Sequence, residues 1–329
     1  LLEHGGRLRQ VARQYGIPLG DWLDLSAGLA PQPWPLPELP LSVWARLPED
    51  DDGLAVTAAA CYGAAQALPV AGSQAAIQTL PALRKAGRVG VLEPCYGEHA
   101  HAWAQAGHEV LRLPTEQLEA QVDSLDVMVL ANPNNPSGQL FSPQQLLAWH
   151  ARLSARGGWL LVDEAFMDCT PELSLAAESG RCGLIVLRSF GKFFGLAGAR
   201  LGFVLAEPAL LTRLNERLGP WTVSGPARAL GLHALGASQA EARAQRAVQL
   251  RAQGRRLAAL LSRHGLRPHG GTALFQWVRT EHALHLYEAL ARRGILVRRF
   301  DHPASLRFGL PPDEGGWQRL ASALEELNS

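Results

Sequence analysis

From residue 67 to residue 206 the chain alternates short, almost wholly apolar runs with longer segments of helical pattern, and no other feature narrows the possible folds as far. The runs cover residues 67–70, 89–92, 109–113, 127–131, 159–162, 184–187 and 201–205. A strand with one wet face alternates apolar and polar residues, whereas a strand covered on both faces has no reason to. The pattern therefore predicts an α/β fold: a mostly parallel, seven-stranded sheet with helices on both faces. It does not predict the order of the strands.

The flanks read differently. Six prolines, at positions 31, 33, 35, 37, 40 and 48, fix backbone angles and remove donors, which suits an irregular crossing segment. Beyond Glu207 an Ala/Arg/Gln-rich stretch, 226–263, reads as long helices, followed by strand candidates at 273–278, 295–298 and 305–308 and helices around 282–292 and 313–327. These expectations amount to an N-terminal arm over 1–30 that packs with the small domain, a large domain over 31–215 and a smaller α+β domain over 216–329.

Thirty-one basic and 30 acidic side chains in 329 residues leave a net charge of +1, so no bulk field recruits nucleic acid or an anionic membrane. The arginines of 226–263 read as a solvated helical surface, interrupted by Glu241 and without an aromatic series for stacking bases. Cys61, Cys95, Cys169 and Cys182 lack the paired spacing of a zinc site or disulfide scaffold, so no metal is expected. The first residues show no basic-then-apolar leader, and no run approaches a membrane span. A soluble, cytoplasmic protein is the expectation.

Chemistry concentrates where apolar runs end. After 184–187 comes Ser189-Phe190-Gly191-Lys192-Phe193-Phe194-Gly195, running on to Arg200. Open α/β sheets bind ligands at the C-terminal ends of their strands, and apolar neighbours favour the neutral, nucleophilic form of an amine. Ser189 and Arg200 offer a hydroxyl and a guanidinium for a phosphate. A glycine-rich loop with a structural arginine explains the same residues. After 159–162 stands Asp163-Glu164-Ala165-Phe166, and a carboxylate at the end of a buried strand needs a cationic partner, such as a protonated ring nitrogen. A helix cap or a magnesium ligand are the alternatives.

Two further strand ends are suggestive. Asn132-Pro133-Asn134-Asn135-Pro136-Ser137-Gly138 is a turn in which Asn135 can present its amide to a phenolate oxygen, or do nothing beyond turning the chain. Ala71-Gly72-Ser73-Gln74 opens a helix whose free N–H groups favour an anion, a weak signal alone.

These four segments, in this order and together with Glu93-Pro94-Cys95-Tyr96, resemble the fold type I pyridoxal 5'-phosphate (PLP) enzymes of the class I/II aminotransferase group, over essentially the whole chain. Within that group the sequence is most similar to the threonine-phosphate decarboxylases of cobalamin biosynthesis, with histidinol-phosphate aminotransferases as close relatives. The resemblance implies that Lys192 carries PLP as a Schiff base, Asp163 pairs with the ring nitrogen, Asn135 binds the phenolic oxygen and Tyr96 stacks on the ring. Ser73, Gln74, Ser189 and Arg200 would hold the cofactor phosphate. His4, Gly5, Gly28, Asn135, Arg298 and Arg307 would hold a small phosphorylated amino acid. The implied reaction takes L-threonine O-3-phosphate to (R)-1-amino-2-propanol O-2-phosphate, in a homodimer.

The sequence departs from that pattern in places. Phe166 stands where many relatives have tyrosine, Gly28 where the decarboxylases commonly have asparagine, Leu47 where a tyrosine reaches the neighbouring subunit's cofactor phosphate, and Gly191 where a hydroxyl often precedes the lysine. Two rival functions remain at this point: an aminotransferase of histidinol-phosphate type, and a non-catalytic interaction protein that kept the fold.

Overall fold

A computed structural model describes residues 5–328 and resolves two compact units. The larger comprises Trp34–Asn135 and Leu140–Ala247. The other comprises the described residues up to Pro33, the stretch Pro136–Gln139 and the chain from Val248 on.

In the larger unit seven strands form one sheet: β1 (Leu68–Val70), β2 (Arg88–Leu92), β3 (Glu109–Leu113), β4 (Val127–Ala131), β5 (Trp159–Asp163), β6 (Leu184–Ser189) and β7 (Gly202–Leu205). Their spatial order is β1-β7-β6-β5-β4-β2-β3, with β7 running against both neighbours and the other pairings parallel. Every residue of β4 and β5 is buried, which is why those runs carry no polar alternation. Val127, Val129, Leu161, Ile185, Leu187 and Val204 share one apolar cluster with Ile77 and Leu80 from the helical segment after β1. Each such side chain contributes roughly 1.5–3 kcal/mol on burial, so the sheet centre is the most firmly held part of this unit. Two helices begin at side-chain caps: Ser142 and Ser224 accept from the N–H groups of Gln145 and Ala227, each with a proline in the first turn.

In the other unit β8 (Gly270–Thr272), β9 (Phe275–Arg279), β10 (Arg298–Phe300) and β11 (Ser305–Gly309) make an antiparallel sheet in the order β10-β11-β9-β8. Leu23–Asp24 pairs in parallel with Ile295–Leu296, and Val11, Ala12 and Trp22 pack with Ala291 and Leu296, so the arm residues share a core with the C-terminal segment. Ser137 and Gly138 lie against the backbone of Gly270 and Gly271.

The two compact units divide at 247/248, inside the helix Ala240–Arg263. Packing and charge both hold the preceding helix in the larger unit. Arg228, on the helix Gly225–Leu235, is buried and donates to Asp52 at 2.7 and 2.6 Å and to Asp50 at 3.1 Å, so this helix belongs with the large unit. Among the described residues no helix is long and apolar enough to cross a membrane.

Candidate active site

Parallel strands end side by side, and here three of those ends build a cavity of about 120 Å³. Ala131 closes β4, Asp163 closes β5 opposite it in register, and Ser189 closes β6 opposite Gly202. Lys192 follows at once, in the one-turn helix Phe190–Phe193 rather than in the open loop expected. All of Ser73, Gln74, Tyr96, Asn135, Asp163, Ser189, Lys192 and Arg200 line this cavity. Lys192 and Asp163, separated by 29 positions in the chain, thus face one small space.

Asp163 is buried and fixed at both oxygens. The backbone N–H of Ala165 donates to Oδ1 at 3.1 Å, and Nε2 of the fully buried His99 lies 2.9 Å from Oδ2. His99 escaped the sequence reading. Its signal was the spacing Tyr96-x-x-His99 at the start of the helix Glu98–Gln105, which His101 two residues on made ambiguous. The His99 ring also meets Tyr96 edge to face, with centroids 6.0 Å apart.

Tyr96 in turn donates its hydroxyl to Oε1 of Gln74 at 3.1 Å, and Gln74 donates to Glu98 at 2.8 Å. The Gln74 amide, expected on a phosphate, is therefore engaged at both ends with protein groups. Burial, with Glu98 and Asp163 adding negative charge, pushes the Tyr96 phenol up to about 12. Burial likewise lifts the neighbouring Cys95 thiol to about 12, which makes it a poor nucleophile.

Arg200 lies against Gly72. A Cβ on Gly72 would stand 2.7 Å from a guanidinium nitrogen, and Gly72 takes φ +73°, so only glycine lets the guanidinium approach this turn. Arg200 itself adopts φ 53°, a left-handed conformation uncommon for a side chain of its size. Ser73 and Ser189 supply hydroxyls to the same cavity. Opposite them, the Lys192 ammonium lies 5.7 Å from the centroid of Phe166, whose ring offers no hydroxyl.

Of the residues expected at a substrate, the described ones other than Asn135 fall in the other unit. Arg307 is buried, donates to the Ser26 carbonyl at 2.6 Å and lies 5.1 Å from the Phe275 ring. A Cβ on Gly28, which takes φ +59°, would stand 3.4 Å from the Phe275 ring and 3.5 Å from the Arg307 guanidinium carbon, and one on Gly5 would stand 2.6 Å from the Ser26 carbonyl oxygen. Arg298 is the cross-strand partner of Arg307. Burial, with repulsion from Arg298, pulls the Arg307 guanidinium down to about 9. Gly5 and Arg298 line a cavity of about 290 Å³ that also takes in Arg7, Ser26 and Arg299. His4 lies outside the described residues.

The family model "Aminotransferase class I and II" matches residues 57–324. The chain belongs to the aminotransferase class I and II family. Within and beyond that family match, the sequence is 62% identical over 324 residues to a threonine-phosphate decarboxylase of Pseudomonas aeruginosa, covering 98% of this chain and 97% of that protein. It is 45% identical over 333 residues to a threonine-phosphate decarboxylase of a Sinorhizobium species, covering 98% of each. The fold matches the crystal structure of a histidinol-phosphate aminotransferase from Sinorhizobium meliloti in complex with pyridoxal-5'-phosphate, with a TM-score of 0.86 and 20% identity over 100% of this chain and 95% of that one. The mostly parallel sheet and the cavity at its strand ends are thus set on the expected fold type I, class I/II aminotransferase frame.

Proposed function

We propose that the chain is a PLP-dependent carboxy-lyase that converts L-threonine O-3-phosphate into (R)-1-amino-2-propanol O-2-phosphate and carbon dioxide. The observation that carries the reading is the shared cavity of Lys192 and Asp163, in a chain so similar along its whole length to threonine-phosphate decarboxylases. The donor set fits PLP: an amine for its aldehyde, a carboxylate for its ring nitrogen, an amide at Asn135 for its phenolic oxygen, and two hydroxyls with a guanidinium for its phosphate. Bound there, PLP supplies the sink for the electron pair left when the bond between the α-carbon and the carboxylate breaks.

The chain's own residues do the rest. Asp163, held by the Ala165 N–H and by His99, would turn its carboxylate to the ring nitrogen. Lys192 would hold the cofactor's aldehyde and, once protonated by the incoming substrate's ammonium, would be placed to return that proton to the α-carbon in place of the carboxylate lost as carbon dioxide. Phe166 and the apolar wall exclude water from that proton transfer. Arg298 and Arg307, with His4, Gly5 and Gly28, are the residues proposed for the substrate's two anionic ends. Held at both, the substrate would present its carboxylate rather than its α-hydrogen for cleavage.

A homodimer belongs to the same proposal. Leu36, Leu41, Trp44 and Leu47 are exposed within twelve positions of the proline-rich segment, at 63%, 79%, 65% and 64%, an apolar surface that a second copy would cover. The cytoplasmic location expected from the dispersed cysteines is proposed with it.

Incubation of the PLP-loaded protein with threonine phosphate as sole amine, without a keto acid, tests the reading. Release of carbon dioxide with stoichiometric aminopropanol phosphate is the expected result. Conversion of the bound cofactor to its pyridoxamine form without carbon dioxide would mean an aminotransferase instead.

A further inference from the structure

Beneath the cavity, the residues next to Asp163 and Ser189 make a second buried cluster that none of the chemistry above uses. Side chains alternate faces along a strand. Ser189 lines the cofactor cavity, so Arg188, one residue earlier on β6, points the other way and lines a separate space of about 220 Å³ with Tyr62 and Asp168. Glu164, one residue after the end of β5, continues the ladder through its N–H to the Leu187 carbonyl at 2.9 Å. Its carboxylate meets Arg188 at 2.9 Å, with side-chain exposures of 3% for the arginine and 0% for the glutamate. Arg188 reaches Asp168 at 2.8 Å and lies 4.4 Å from the Tyr62 ring centroid. Glu164 also accepts from the Ser174 hydroxyl and from the Leu175 N–H at 2.7 Å.

Buried ion pairs are a poor source of net stability, because desolvation takes back most of the attraction. What such a pair does supply, with both terminal nitrogens of Arg188 and both oxygens of Glu164 bonded although Arg188 Nε is not, is a fixed distance between the elements that carry it. Here those elements are the C-terminal ends of β5 and β6, which on their upper face present Asp163 to the ring nitrogen, and Ser189 and Lys192 to the phosphate and aldehyde. Burial raises the Glu164 carboxyl, and Asp168 and Glu164 together hold Arg188 charged against the cost of its own burial.

We propose that Arg188 and Glu164 are positioning residues, a buried clamp on the underside of the sheet that sets the spacing of Asp163 from Ser189 and Lys192. The clamp touches no part of the cofactor or substrate. It rests on the reading of this cavity as a PLP site.

The test is PLP titration of the apo-protein, followed by the visible absorbance band of the lysine-bound cofactor, beside thermal unfolding of the same apo samples. Glu164→Gln keeps the volume and can still accept from the Leu175 N–H, but its amide NH2 then stands where the oxygen accepted from Ser174 and Arg188, so the clamp is discharged and its Arg188 bond lost; Arg188→Lys keeps the charge but loses the two-armed grip. A displacement of well under 1 Å in the anchoring groups weakens PLP binding and kcat each by about tenfold or more, with KM for threonine phosphate changed less than about threefold. Arg188→Lys should retain more affinity than Arg188→Met, and if Arg188→Met does not fold, Glu164→Gln alone decides. Variants that lose thermal stability yet bind PLP within about twofold of the parent, with an unshifted band, would reduce the pair to a structural role and overturn the proposal. Failure of the parent protein itself to bind PLP would instead overturn the cofactor reading, and this inference with it.

Discussion

His99 Nε2 stands 2.9 Å from Oδ2 of Asp163 in a site where both side chains are buried, so the carboxylate is steered from below by an imidazole and from beside by the Ala165 N–H. Removing the imidazole leaves one carboxylate oxygen dry and without its donor, at a cost of about 1–3 kcal/mol. His99→Ala is therefore expected to lower thermal stability and to reduce kcat by at least about tenfold, while His99→Asn, which keeps a donor, recovers part of both. Steady-state kinetics and calorimetry on the pair decide it; equal kcat in His99→Ala and the parent would remove His99 from the site's design.

Lys192 is half-buried at the end of a one-turn helix, and Phe190, Phe193 and Phe194 around it hold the local packing. Lys192→Ala should consequently fold. It should bind added PLP without the visible band of the lysine-bound form, and release carbon dioxide at least about 10³-fold more slowly, since the carrier and the proton donor are lost together. A mutant retaining the band would show that another amine carries the cofactor.

The central strands were legible because their information is local: a run with both faces buried must be apolar, and β4, buried at every position, matches its expected range residue for residue. The edge strand β3 matches too, although Glu109 and Arg112 are exposed and only Leu113 is buried. Lys192, Asp163 and Asn135 were legible because each follows such a run. His99 was not, since a histidine near the start of a helix has the same appearance whether it faces a carboxylate 64 positions away or solvent, as the chain distance to Asp163 shows. The division of the compact units at 247/248 was not legible for the same reason. Nothing in the sequence around Arg228 announces that Asp50 and Asp52, about 180 positions earlier, tie its helix to the large unit.

Tyr96 gives a pH dependence with a definite sign. Its phenol moves from the ordinary 10.0 up to about 12 on folding, so between these values the native protein keeps a proton that the unfolded chain has lost. Stability associated with Tyr96 is whole below pH 10 and declines as pH rises toward about 12. The stability difference between the parent and Tyr96→Phe, measured by denaturant titration, should shrink over that window and stay constant from neutrality to pH 10. A difference that grew with pH would contradict the burial of the hydroxyl beside Gln74.

If the apolar stretch around Leu41 and Trp44 is the surface between two copies, a charge there should separate them. Leu41→Asp with Trp44→Asp is expected to shift the mass measured by light scattering from dimer to monomer, with the large unit's unfolding transition little changed, because both side chains are already exposed in the single chain. A parent protein that is monomeric at micromolar concentration would leave that surface without this partner.

Gly72 offers the sharpest separation of cofactor binding from folding. Its backbone, at φ 73° and ψ 155°, sits in a region essentially reserved for glycine, and an added methyl would stand 2.7 Å from the Arg200 guanidinium. Gly72→Ala thus strains the turn by roughly 1–3 kcal/mol and pushes aside the one guanidinium among the residues proposed for the cofactor phosphate. Arg200→Ala removes the charge but relieves the contact. Both substitutions should weaken PLP binding by about tenfold or more, because a phosphate contact from a guanidinium is charge-assisted. Only Gly72→Ala should also lower the apo-protein's unfolding temperature. In the double variant the steric conflict is gone, so the stability loss should fall to the backbone share alone, while PLP affinity should be no worse than in Arg200→Ala. Strictly additive losses in both measurements would show that Gly72 and Arg200 act separately, and that the close approach is not what the glycine is for.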